Sequence, residues 1–235
     1  MDKLKNASRL VSNEIKWYRV LKYISGMICI AFGVVMMLRS NLGNSSWDTL
    51  HYSITLLSGI TIGTAMVIVA LIFTVLVIWL NKDFKFLLMA IPILLVGPLV
   101  DLFNDVIFIS FHPEQAVMQI VSLIAGLLFL PFGGSLLIIS TYPAGVFDEF
   151  NLAVMRKLKM KSLVPIRVIM ELSAVSLATI FFYMTGETIN QSALLPIYGN
   201  IGIGTLIFAF TVGILLKFYL KLFERIGLNE NQQND

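Results

Sequence analysis

The chain has 235 residues, 57% of them hydrophobic and only 13% charged, with a mean hydropathy of +0.86. A soluble domain covers its surface with about 25% charged residues, so a water-soluble globule is excluded and most of the exterior must face lipid. The net charge of +3 and the pI near 9.0 call for no nucleic-acid partner, because Lys and Arg fall where a membrane topology places them.

Residues 1–20 form a basic N-terminal segment with Lys3, Lys5, Arg9, Lys16 and Arg19. It does not read as a secretory signal: the charged stretch is long, and no small-residue cleavage site follows the first apolar run. Six apolar blocks come next, near 21–38, 60–80, 86–104, 116–139, 163–184 and 197–220. Each approaches the roughly 20 residues a helix needs to cross hydrocarbon. Pro92, Gly97 and Pro98 interrupt the third. The runs are continuously apolar, without the alternation of a membrane barrel. Cys29 is the single cysteine and His51 and His112 the two histidines, so neither a disulfide nor a His/Cys metal site is expected, and no cofactor.

The loops alternate in charge. Lys82 and Lys85 follow the second block, Arg156, Lys157, Lys159 and Lys161 the fourth, and Lys217, Lys221 and Arg225 the last. The opposite loops hold only Arg39. By the positive-inside rule both termini are cytoplasmic, in a bacterial cell membrane crossed six times.

Residues 23–50 align without a gap on 123–150, with Ile24, Gly26, Phe32, Gly33, Ser40 and Asp48 recurring as Ile124, Gly126, Phe132, Gly133, Ser140 and Asp148. A unit of three spans is odd, so its second copy enters the membrane from the other side. The expected fold is therefore an all-α polytopic membrane helix bundle of six transmembrane helices, arranged as two inverted-topology three-helix repeats at 21–110 and 111–222. A cytoplasmic polar tail follows at 223–235.

Five groups of residues are candidates for function. Ser45-x-x-Asp48 has the form of a capping box, and Gly145-x-x-Asp148 sets an acid at the matching place. Two readings stay open: each acid caps a short helix, or the two helices are re-entrant or interfacial and gate opposite faces of one cavity. Arg167 and Glu171 share one face of the fifth span. A lone carboxylate at such depth costs on the order of 3 kcal/mol, so Glu171 should face protein or a wet cavity, as an ion-pair partner of Arg167 or as a proton or cation site. Gly59, Gly63, Gly199, Gly202 and Gly204 read mainly as close-packing positions. The alternative is that the Gly199–Thr205 segment, which also supplies Asn200, opens the last span as a broken helix. Asp101 and Asp105 are expected to be solvated beyond the third span. Arg39 either snorkels or pairs with Asp48.

With these segments in view, the chain resembles the YczE/YitT-like group of bacterial multi-pass membrane proteins. The resemblance rests on NSSWDTLH (44–51), GITIGT (59–64), the Arg167–Glu171 pair in PIRVIMEL, and GNIGIGT (199–205). It implies a plasma-membrane protein and leaves its activity undefined.

No nucleophile–base pair or metal-ligand set stands out, so an enzyme is not expected. The expected function is secondary transport or export of a small solute, with a non-transporting scaffold, sensor or maturation factor as the alternative. The expected partners are the lipid bilayer and a small-molecule or ion substrate. A homo-oligomer is left open.

Overall fold

The computed structural model describes residues 2–142, 145–186, 190–191, 196–197 and 201–228. Its helices are α1 (Asp2–Ser40), α2 (Ser46–Ser58), α3 (Ile62–Asn81), α4 (Ala90–Asp101), α5 (Ala116–Ile139), α6 (Val146–Lys157), α7 (Val164–Met184) and α8 (Ile203–Arg225). Two short strands, β1 (Asn190–Gln191) and β2 (Pro196–Ile197), pair antiparallel.

Among the described residues, six helical stretches are long and apolar enough to cross a membrane: Trp17–Ser40, Ile62–Asn81, Phe84–Ile107, Ala116–Ile139, Pro165–Met184 and Ile203–Arg225. They coincide with the six apolar blocks. Large apolar side chains such as Ile72, Val75, Leu172 and Phe210 point outward from them, as lipid-facing residues do. The chain is an integral membrane protein.

The third span is a composite helix. A 3₁₀ turn at Phe84–Met89 leads into α4, which contains Pro98, and a π-helical turn at Leu102–Ile107 follows. Proline lacks the N–H an interior turn requires, and the span continues beyond Asp101 in the wider turn.

The bundle is built around α1 and α5, which run antiparallel with glycines at their crossing. A Cβ on Gly26 would lie 2.9 Å from the Gly133 carbonyl oxygen, and one on Gly133 would lie 2.5 Å from that of Gly26. Gly126 meets the Gly33 carbonyl in the same way, at 2.8 Å. The backbones therefore touch, which only glycine permits at this spacing. Two further contacts are crosswise, α2 lying on α7 and α6 on α3, while α4 packs on α3 and α1, and α8 on α5.

Local geometry recurs one hundred residues apart. Ser40 Oγ donates to the Met37 carbonyl and accepts from the Leu42 N–H, at 2.6 and 3.2 Å. Ser140 Oγ does the same with Leu137 and Tyr142, at 2.6 and 3.3 Å. Asn41 and Thr141 both take left-handed backbone angles, with φ of 52° and 65°, and so do Gly59 and Lys159, at 74° and 51°.

Candidate functional site

Helices α2 and α6 begin beside one another. Trp47 and Phe147, equivalent by the hundred-residue offset, stack with ring centroids 4.2 Å apart and planes 20° from parallel. Phe73 of α3 meets Trp47, Phe147 and Phe150 edge-on at 5.2, 5.1 and 4.9 Å. The two helix starts, with Trp47 and Phe147, bound a cavity of about 370 Å³. Its wall includes Ile30 and Leu130, which sit about halfway along the spans of α1 and α5. The site therefore reaches the middle of the bundle from the end where Arg167 stands in the first turn of α7.

Four of the ionisable residues singled out from the sequence line this one cavity: Asp48, Asp148, Arg167 and Glu171. Chain order did not reveal that they converge. The cap at the start of α2 is made by Ser45, with the Asp48 carboxylate braced by it. Ser45 Oγ accepts from the Asp48 N–H at 3.2 Å and donates to Asp48 Oδ2 at 2.6 Å. Ser45 and Asp48 are both buried, and Asp48 Oδ1 lies 3.7 Å from Nδ1 of the buried His51. Asp148 occupies the third position of α6 after Gly145, which has no side chain to share such a box, and it stays exposed.

Among the described residues no ion pair within 4 Å joins Arg167 to Glu171. The intrahelical pair is thus corrected: both side chains turn to the cavity rather than to each other.

The glycines divide into packing and capping roles. Gly63 packs directly on the Gly97 carbonyl, as expected. Gly59 does not pack, because a Cβ there would meet no atom within 4 Å. It closes α2 in the left-handed conformation, its N–H donating to the Thr55 carbonyl, a terminator role that four-residue spacing from Gly63 disguised. Gly202 and Gly204 lie against Leu42 and Gly43, and the Gly204 N–H donates to the Leu42 carbonyl at 2.7 Å. A first-turn donor of α8 is thereby used within the protein, which favours packing over a ligand-binding broken helix. Thr205 is buried there, its Oγ1 accepting from the Gly202 N–H at 3.2 Å, and is not part of the cavity wall. Gly199 and Asn200 lie outside the described residues.

Two further expectations change. Asp101 is not simply solvated: it accepts from the Gly63 N–H at 2.6 Å and the Thr61 hydroxyl at 2.7 Å, capping α3 from another helix. Arg39 pairs with Asn104 and His112 rather than Asp48, at 3.0 Å from Asn104 Oδ1 and 2.9 Å from His112 Nε2.

Sequence reading passed over Asn151. It is 5% exposed, lines the cavity, and its Oδ1 accepts no hydrogen bond. The ring nitrogens of His51 likewise have no hydrogen-bond partner. His51 and Asn151 stand one hundred residues apart, so comparing polarity rather than identity along the repeat would have found the pair.

A family model described as "Family of unknown function (DUF6198)" matches residues 17–221. The chain belongs to that family. It is 22% identical over 215 residues to "Uncharacterized protein YyaS" of Bacillus subtilis (strain 168), covering 92% of this chain and 98% of that one. It is 26% identical over 199 residues to "Uncharacterized membrane protein YczE" of the same organism, covering 84% of this chain and 83% of that one. The resemblance to YczE-type membrane proteins therefore holds for this family member. No solved structure matches.

Proposed function

We propose that the protein is a secondary transporter or exporter of a small solute, built from two inverted three-helix halves in the bacterial cell membrane, with both termini cytoplasmic. The observation that carries this reading is the cavity, reaching the middle of the bundle, where equivalent half-helices meet. Its wall holds Asp48, Asp148, Arg167 and Glu171. Ionisable groups at such depth are costly and are kept where a solute or ion passes, and cavities between repeats formed by half-helices are where such proteins hold their cargo.

The inverted arrangement has independent support in reciprocity. About a two-fold axis, residue i of one copy meets j of the other while j meets i. Gly26 meets Gly133 and Gly33 meets Gly126, which is that relation for glycines aligned by the offset. Trp47 and Phe147, themselves equivalent, stack on each other as residues on the axis must. The crosswise contacts of α2 with α7 and α6 with α3 are the same contact made twice. In this frame α2 rises from the centre toward one face and α6 toward the other.

The test is solute flux in proteoliposomes with Glu171→Gln and Asp48→Asn, using candidates from a metabolite-export comparison between a deletion strain and its complement. Loss of a specific flux in folded variants supports transport. If both variants fold and every flux is unchanged, the scaffold, sensor or maturation-factor reading replaces it.

A further inference from the structure

The cavity's chemistry narrows what it would hold, and the inference rests on reading the cavity as the solute site. Three acids and one base line it: Asp48, Asp148 and Glu171 against Arg167. Two helix N-termini also converge here, each equivalent to roughly half a positive charge. Each N-terminus already carries its own acid in the first turn, Asp48 in α2 and Asp148 in α6. A full negative charge on half a positive one leaves each start net negative, and Glu171 outweighs nothing but Arg167. The electrostatic balance therefore favours a cation.

Hydrogen-bond capacity points the same way. Asn151 lines the cavity, and its Oδ1 is a buried acceptor with no donor. An unmet buried acceptor costs about 1–3 kcal/mol, and what meets it must bring an N–H or O–H. Neither Asp148 nor Glu171 has an ion-pair partner within 4 Å among the described residues. Apart from Ser45 and Ser46, the rest of the wall is apolar and aromatic, including Trp47, Phe147, Val34, Met66 and Phe208. Aromatic faces attract cations, and a volume of about 370 Å³ is at the low end for small organic ligands.

We propose that this cavity binds a small organic cation, an ammonium group on an apolar body, with Asn151, Asp148 and Glu171 supplying the acceptors and Trp47 and Phe147 holding the body. Arg167 sets the opposing charge and disfavours a second positive group.

The experiment is calorimetric binding to the purified full chain in nanodiscs, with three probes of similar shape: phenethylammonium, 3-phenylpropanoate and neutral phenylethanol. Phenethylammonium should bind most tightly. Glu171→Gln, Asp148→Asn and Asn151→Leu should each weaken it by about tenfold or more, the worth of one hydrogen bond to a charged group. Arg167→Gln should tighten the ammonium and weaken the carboxylate, a reversal that misfolding cannot produce because misfolding lowers both. The inference is overturned if the carboxylate or the alcohol binds as well as the ammonium, if methylammonium alone binds equally, or if Arg167→Gln does not widen the gap between the ammonium and the carboxylate. Flux of the same probes separates the two ideas. Ammonium binding without flux removes transport and keeps the ligand class. Glu171-dependent flux of the carboxylate or the alcohol without ammonium binding keeps transport and removes the ligand class.

Discussion

Replacing Gly133 by alanine tests the central helix pair directly. The added methyl would stand 2.5 Å from the Gly26 carbonyl oxygen and 2.8 Å from the Ile30 nitrogen, both backbone atoms on α1. An ordinary contact at carbon needs about 3.5 Å, so α1 and α5 must separate by something near 1 Å. Neither neighbour is a flexible side-chain tip that can turn aside. Overpacking of this kind costs about 1–3 kcal/mol, from which the gain in helix propensity from glycine to alanine, roughly 1 kcal/mol, must be subtracted. Gly213 in α8 is the built-in control, since a Cβ there meets nothing within 4 Å. Gly213→Ala should therefore stabilise by about 0.5–1 kcal/mol while Gly133→Ala destabilises, the same chemical change with opposite signs. Thermal unfolding of purified protein in one detergent reads both. Should Gly133→Ala melt at or above the parent, the close α1–α5 contact is wrong.

Ser45→Ala removes the hydroxyl that bonds Asp48 twice, and a loss of about 1–2 kcal/mol should lower the melting temperature. Asp101→Ala strips the cap from the start of α3 and should cost about 1–3 kcal/mol. Asp105→Ala, at an exposed side chain, should stay within about 0.5 kcal/mol; equal losses would show that Asp101 does not cap. Trp47→Ala and Phe147→Ala should each destabilise, and a double-mutant cycle should return a coupling of about 0.5–1.5 kcal/mol for their stack. Ser58→Cys and Lys159→Cys, each in a Cys29→Ala background, should react with an impermeant maleimide from opposite sides of the membrane. Labelling of both from one side refutes the inversion.

The spans were readable because a helix in lipid must be apolar over its whole length, a local property. The same holds for the Ser45–Asp48 cap, whose partners are three residues apart. What sequence obscured was every role fixed by a distant neighbour. Gly59 and Gly63 look alike in a list, yet one terminates a helix and the other meets Gly97 on a separate span. Asp101 looked free because the N–H it accepts from belongs to Gly63. Arg39 had Asp48 nearby in the chain and Asn104 nearby in space. The repeat was the exception, since a fixed offset turns one distant contact into two. Read through it, the equivalence of Asp48 with Asp148 was within reach, and so was that of His51 with Asn151.

The crosswise packing has a consequence for how the chain is made. A ribosome delivers α1, α2 and α3 before α5, α6 and α7 exist. During that interval the Gly26–Gly33 face has nothing to lie on, and α2 lacks α7. The buried Asp48–His51 pair then stands at the centre of a bilayer without the walls that later enclose it. α1 and α2 therefore wait, held by the insertion machinery or kept shallow in the membrane, until α5 and α7 enter and cover them. Arrival of α5 and α7 is then the step that commits α1 and α2 to the membrane core.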